Sequence, residues 1–201
     1  KVLIALYENE TPFEPVMIDF GDPETRAALA ALWPLAKIPV LEDMARGEIV
    51  PETTIIIDYL DRDYPGPVRL VPEDPEAARE MRLWDRVFDL HVQAPMQRIV
   101  GDRLRPNDQR DTFGVAESRR ALTTSLGLVE SAATARQWAG GDAFGLADCA
   151  AMPALFYADK VMPFGSDYPH ATALLERLKA RPSVARVLAE AEPWFQYFPQ
   201  E

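Results

Sequence analysis

The chain of 201 residues is 48% hydrophobic and 26% charged, a balance typical of soluble globular proteins. No stretch approaches the roughly 18 uncharged apolar residues of a membrane helix, and the given residues contain no basic-then-apolar leader pattern, so we expect neither a membrane protein nor a secreted one. The single cysteine, Cys149, excludes an internal disulfide and favours a cytoplasmic location.

Most of the acidic excess lies in the first third of the chain. The net charge is −11, of which −9 falls in residues 1–74 and −2 in residues 75–201. A net charge this negative in residues 1–74 repels nucleic-acid phosphates and anionic lipid, and we expect neither as a partner. A small anionic ligand would have to be attracted by local backbone donors.

Short β-like and helical patterns alternate before residue 65. In chain order they are a helix end at Lys1–Asn9, a strand at Val16–Asp19, a helix at Pro23–Leu32, a hairpin of Ile38–Leu41 and Glu48–Val50, and a helix at Thr53–Tyr64. The predicted order is therefore α-β-α-β-β-α.

A proline-dense linker separates this region from a helical one. We place an α/β domain at 1–66, the linker at 67–75 and an all-helical domain at 76–201. Further helices are predicted over about 112–137, 146–161, 170–180 and 182–191. The first helix after the linker carries one apolar stripe, made of Ala77, Met81, Trp84, Phe88, His91 and Pro95.

Two groups of motifs carry a resemblance to a known family. The first is Lys37–Asp43, followed by Ile49–Thr53, Ile57–Leu60 and Tyr64-Pro65, and the second is Gly140–Asp148. Together they resemble the glutathione transferase superfamily, in its cytosolic, bacterial type. The resemblance implies a thioredoxin-like domain of order βαβαββα followed by a helical bundle, with the first strand expected upstream of Lys1.

The resemblance also implies a glutathione site. Pro39 corresponds to the family's cis-proline, which turns the backbone N–H and C=O of Ile38 toward the cysteinyl backbone of glutathione. Glu52 and Thr53 stand where the family holds the γ-glutamyl group, with Thr53 at a helix N-terminus. The plainer alternatives are a trans proline on an edge strand, a Thr53 that is simply an N-cap, and a solvated Glu52.

Other candidate residues receive weaker interpretations. Lys37 either approaches the ligand from the start of the strand or is simply solvated. We expect Cys149 in the core, His91 packed or at an interface with an acceptor pocket as the alternative, and His170 exposed. One cysteine and two distant histidines predict no metal site. Asp148 is expected to cap the helix that follows Gly145, with Phe144 packed against it.

The resemblance implies an enzyme that conjugates the glutathione thiolate to a small apolar electrophile, acting as a homodimer without a metal. The thiol-activating residue is expected upstream of Lys1, ahead of the first helix. Two alternatives stay open: a glutathione-dependent isomerase or thiol reductase on the same fold, and a non-catalytic binding or interaction protein.

Overall fold

The structure, a computed structural model, describes residues 1–200, which form two compact units. One unit comprises Val2–Leu70, and the other begins at Val71 and includes Lys1. In the first unit the elements are α1 (Val2–Glu8), α2 (Pro23–Leu32), β1 (Val40–Asp43), β2 (Glu48–Pro51) and α3 (Thr53–Asp63).

The first unit is built around α3 and a two-stranded antiparallel sheet. β1 pairs with β2 in a register that sets Val40 opposite Pro51 and Asp43 opposite Glu48. The apolar faces of α1 and α3 supply its core, because Ile4, Ile56 and Ile57 are completely buried. The predicted helices and hairpin of this unit are therefore confirmed, with β1 beginning at Val40, after a proline that has no N–H to donate.

The predicted strand at Val16–Asp19 is wrong for the described structure. This segment has no regular secondary structure, and the side chains of Val16 and Met17 are 79% and 72% exposed. A strand needs a hydrogen-bonded neighbour, and within residues 1–200 the only strands, β1 and β2, pair with each other. The alternating apolar pattern of the segment does not tell whether such a neighbouring strand is present.

The second unit is helical, as predicted. Its elements are α4 (Pro75–Val87), a π-helix (Phe88–Gln93), α5 (Ala94–Arg103), a 3₁₀ turn (Asn107–Gln109), α6 (Thr112–Ala133), α7 (Leu146–Val161), α8 (Pro169–Lys179), α9 (Pro182–Ala191) and a final 3₁₀ segment (Glu192–Tyr197). No helix among residues 1–200 is both long and apolar enough to cross a membrane.

The π-helix shifts the predicted apolar stripe of the first helix. Met81, Trp84, Phe88 and Pro95 are buried as expected, but Ala77 and His91 are exposed, and the first buried position after Phe88 is Val92. A π-helix has i→i+5 hydrogen bonds and so turns less per residue than an α-helix. A stripe extrapolated at α-helical spacing therefore misplaces His91, whose expected packing in the core is wrong, while its place at an interface stays a prediction.

Helix α7 is the centre of the second unit and packs against α4, α5, α8 and the π-helix. Eleven of its sixteen residues are buried, including Cys149, which confirms the predicted core position of that thiol. A helix that is apolar on nearly all sides is the kind that other helices surround.

The predicted cap of α7 is also present. The Asp148 carboxylate accepts hydrogen bonds from the backbone N–H groups of Gly145 (3.0 Å) and Ala139 (2.8 Å). Burial raises the pKa of Asp148 to about 7, while both N–H donors act to lower it. Phe144 is buried beside this cap, against Trp138 and under the Arg181 guanidinium.

We expect Asp148→Ala to destabilise the protein by about 3 kcal/mol, because two buried N–H groups lose their acceptor and α7 loses its cap. Urea unfolding at pH 8 measures the change. Asp142→Ala, at an exposed position in the preceding loop, is the matched control and should change stability by less than about 0.5 kcal/mol. Equal losses in the two variants would contradict the capping role.

Candidate functional site

The hairpin register determines which residues meet at the candidate site. Val40 and Pro51 are the last paired residues at one end of the sheet. One residue beyond them in each strand lie Pro39 and Glu52, so the residues before β1 and the start of α3 share this end of the hairpin. The predicted cis Ile38–Pro39 peptide bond is present there.

Ile38 offers an unused set of backbone hydrogen-bonding groups. The residue is 55% exposed, and among residues 1–200 its N–H and C=O have no hydrogen-bond partner. A free N–H and C=O at the start of an exposed strand can pair with an extended peptide laid beside it.

The start of α3 supplies the second half of the site. Glu52 is the N-cap residue, but its side chain makes no capping hydrogen bond, and the first helical residue is Thr53. Thr53 is half-buried, and its hydroxyl has no hydrogen-bond partner within residues 1–200. Unsatisfied N–H groups and the positive end of the helix dipole favour an anion at such a position.

Glu52 holds a backbone conformation that favours glycine. Its φ is 69° and its ψ is 122°, while its carbonyl accepts the first helical hydrogen bond from Ile56, 2.8 Å away. Positive φ costs a residue with a Cβ about 1–3 kcal/mol and is concentrated at functional sites. A glutamate thus occupies an exposed position whose backbone conformation favours glycine.

Lys37 and the loop before it complete this side of the hairpin. The Lys37 side chain is exposed, two residues before Pro39. Within the same loop, Ala36 has a positive φ of 48°, and the Trp33 indole N–H is buried without an acceptor in residues 1–200. The sequence interpretation missed both residues, since neither type signals a left-handed turn or an unsatisfied donor.

The remaining candidates lie in the second unit. Cys149 is buried in α7, and His170 is exposed at the start of α8, its imidazole 4.0 Å from the Glu130 carboxylate. Across residues 1–200, no three His, Cys, Asp or Glu side chains gather in a way that could hold a metal ion. The hairpin end and the start of α3, both within the first unit, form the candidate site.

Comparison with known protein families accounts for both units. Residues 1–68 match the N-terminal domain of glutathione S-transferase, and residues 87–182 match its C-terminal domain.

Individual proteins resemble the chain over nearly its whole length. A glutathione S-transferase of Silene vulgaris is 31% identical, with 94% of this chain and 91% of that protein covered. The FtsZ-localized protein A of Caulobacter vibrioides is 29% identical over 96% of this chain and 87% of its own. A crystal structure of a glutathione S-transferase from Methylobacillus flagellatus with glutathione bound has a TM-score of 0.83 and 25% identity, covering 92% of this chain and 91% of that one.

We expect Glu52→Gly to stabilise the protein by about 0.5–1 kcal/mol. Removing the Cβ relieves the positive φ, and this gain exceeds the backbone entropy that glycine loses on folding. Glu48→Gly is the control, because Glu48 lies in β2, is exposed and is not among the residues of positive φ in 1–200. Urea unfolding should show the control losing stability by up to about 1 kcal/mol, and a loss in both variants would contradict strain at Glu52.

Proposed function

The chain belongs to the glutathione S-transferase family, and we propose that it binds glutathione at the hairpin end and transfers the glutathione thiolate to a small apolar electrophile. The unpaired Ile38 backbone beside the uncapped start of α3 is the observation that carries this proposal. Further support comes from the Methylobacillus flagellatus structure of similar fold, which has glutathione bound.

The cysteinyl part of glutathione fits the strand side of the site. Its backbone N–H and C=O would pair with the C=O and N–H of Ile38, adding a short antiparallel strand next to Pro39. This recognition uses backbone groups alone and holds the ligand in an extended conformation. Lys37, three residues before β1, supplies a cation for a carboxylate of the ligand.

The γ-glutamyl part fits the helix side. Its carboxylate would accept hydrogen bonds from the Thr53 hydroxyl and the first N–H groups of α3, while the Glu52 carboxylate faces its ammonium. The carboxylate of the γ-glutamyl part thus faces the positive end of the helix dipole, and its ammonium faces a carboxylate of the protein. Such local recognition overcomes the net charge of −11, which repels an anion at longer range.

The chemical step requires the glutathione thiolate. A free thiol of this kind has a pKa of about 8.5, and lowering it by about two units takes roughly 2.7 kcal/mol of preferential thiolate stabilisation. The thiolate then attacks an electrophilic carbon, forming a C–S bond as the leaving group departs with the bonding electrons. As the family resemblance implies, the stabilising group belongs ahead of α1.

Two alternative functions use the same binding site. A glutathione-dependent isomerase or thiol reductase would bind the tripeptide through the same contacts. The second alternative is a non-catalytic interaction protein; one relative, the FtsZ-localized protein A of Caulobacter vibrioides, is named for a protein with which it localises and not for a reaction. With the transferase function we further propose a homodimer and a cytoplasmic location, the latter supported by the single, buried cysteine.

We expect Thr53→Val to weaken glutathione binding about tenfold, because a hydrogen bond to the ligand carboxylate is lost while side-chain shape is kept. Isothermal titration calorimetry at millimolar glutathione measures the affinity. Thr124→Val, on the exposed face of α6, removes a hydroxyl that only bonds its own helix and should leave the affinity unchanged. Unaltered affinity in Thr53→Val would rule out the assigned contact.

Incubation of the protein with glutathione and an activated aryl chloride should release chloride and yield the thioether conjugate, identified by mass spectrometry. A parallel reaction with a mixed disulfide of glutathione should show no accelerated reduction. Reduction without conjugation would indicate the thiol reductase instead, and binding with neither reaction would support the interaction protein.

A further inference from the structure

Asp43 forms a saturated hydrogen-bond centre at the other end of the hairpin. It is the last residue of β1 and is buried. Its Oδ1 accepts from the backbone N–H groups of Ala45 (3.0 Å) and Arg46 (3.2 Å). Its Oδ2 accepts from the hydroxyls of Tyr59, 2.6 Å away, and Tyr64. Two acceptor positions on each oxygen are therefore occupied.

These donors belong to two different elements. Ala45 and Arg46 lie in the β1–β2 turn, whereas Tyr59 lies within α3 and Tyr64 ends it. Asp43 thus connects the far end of the hairpin to the far half of α3. The opposite ends of the same two elements carry Ile38 and Thr53, the two contacts of the proposed glutathione site.

β1 and the first half of α3 are of similar length, and the hairpin and α3 are joined by Glu52 at one end and by the hydrogen bonds of Asp43 at the other. The four residues of β1 span about 10 Å, and the six steps from Thr53 to Tyr59 rise about 9 Å along the helix. At the ligand end, a single residue, Glu52, joins β2 to α3. The apolar contacts between α3 and β2 have little directionality, whereas the hydrogen bonds of Asp43 to the two tyrosine hydroxyls are directional and can limit the tilt of the helix.

We propose that Asp43 is a positioning residue that keeps the Thr53 end of α3 at the spacing from Ile38 that glutathione binding requires. The inference rests on the proposed glutathione site. If α3 pivots on its buried Ile57, Tyr64 lies about 10 Å from the pivot and Thr53 about 6 Å on the other side. A 2 Å displacement at Tyr64 then moves Thr53 by about 1 Å, enough to break a hydrogen bond of normal length.

Neighbouring charges support the same geometry. Arg46 forms an ion pair of 2.8 Å with Asp63 at the end of α3, and its guanidinium lies 5.8 Å from the centre of the Tyr59 ring. The hydrogen bond to Asp43 is the main factor that raises the pKa of Tyr64 to about 12, because this bond stabilises the protonated hydroxyl that donates it. Conversely, the two tyrosines hold the pKa of Asp43 below its usual value.

The chemistry of Asp43 allows a matched rescue experiment. In Asp43→Asn the amide oxygen can still accept the hydrogen bonds from the two backbone N–H groups, and the amide nitrogen can donate its two hydrogens to the two tyrosine oxygens. The connection survives although the charge is lost. Asp43→Ala removes both sets of bonds, and Glu42→Ala, at the exposed neighbouring position, removes a charge without touching the connection.

Calorimetric titration with glutathione, at a temperature where near-UV circular dichroism shows every variant folded, tests the proposal. We expect Asp43→Ala to bind about tenfold more weakly and Asp43→Asn and Glu42→Ala to stay within about twofold of wild type. A folded Asp43→Ala with wild-type affinity would reduce Asp43 to a stability role. An Asp43→Asn as weak as Asp43→Ala would overturn the hydrogen-bonding explanation.

Amide hydrogen exchange on the free protein separates this inference from the binding site itself. We expect exchange at residues 52–56 to rise in Asp43→Ala and to match wild type in Asp43→Asn. Unchanged exchange in Asp43→Ala would contradict the positioning role. If wild type failed to bind glutathione while exchange changed as expected, the proposed function would fall and the coupling from Asp43 to the helix start would stand.

Discussion

Antiparallel pairing of Val40 with Pro51 brings an unpaired backbone segment and a helix N-terminus to one end of a short hairpin. On one side is the exposed Ile38, before β1 begins, and on the other is the start of α3, where Thr53 follows Glu52 directly. Neither feature alone recognises a ligand. Their separation is set by the hairpin register, and a register shifted by one residue would also turn the core side chain of Val50 toward solvent.

Charge distribution makes this local arrangement necessary. The chain carries a net charge of −11, with most of the excess in the unit that holds the site. Long-range attraction of an anionic tripeptide is therefore absent, and salt screens the repulsion beyond about 10 Å. Backbone N–H groups and a helix dipole act over shorter distances and carry no net charge. We therefore propose that these dipoles, together with the side chains of Lys37 and Glu52, recognise the ligand within a unit of net negative charge.

The sequence predictions were wrong at two places where the hydrophobic pattern of the sequence does not correspond to the local structure. The Val16–Asp19 segment has the alternation of a strand but no hydrogen-bonded neighbour among residues 1–200, so it remains irregular. The π-helix at Phe88–Gln93 displaces His91 from the core and places Val92 there. Strand pairing depends on residues distant in sequence, and a π-turn depends on packing around the helix, so local periodicity determined neither outcome.

The amino-acid sequence by itself determined the helices, the hairpin, the cap at Asp148 and the family, because each depends on residues close together in the chain or on motifs in fixed order. Only the tertiary structure decided that the Ile38 backbone is unpaired, that Glu52 holds a positive φ, and that Asp43 joins the turn to α3. Those features arise when segments far apart in sequence pack together and fix each other's hydrogen bonds, which no local pattern encodes.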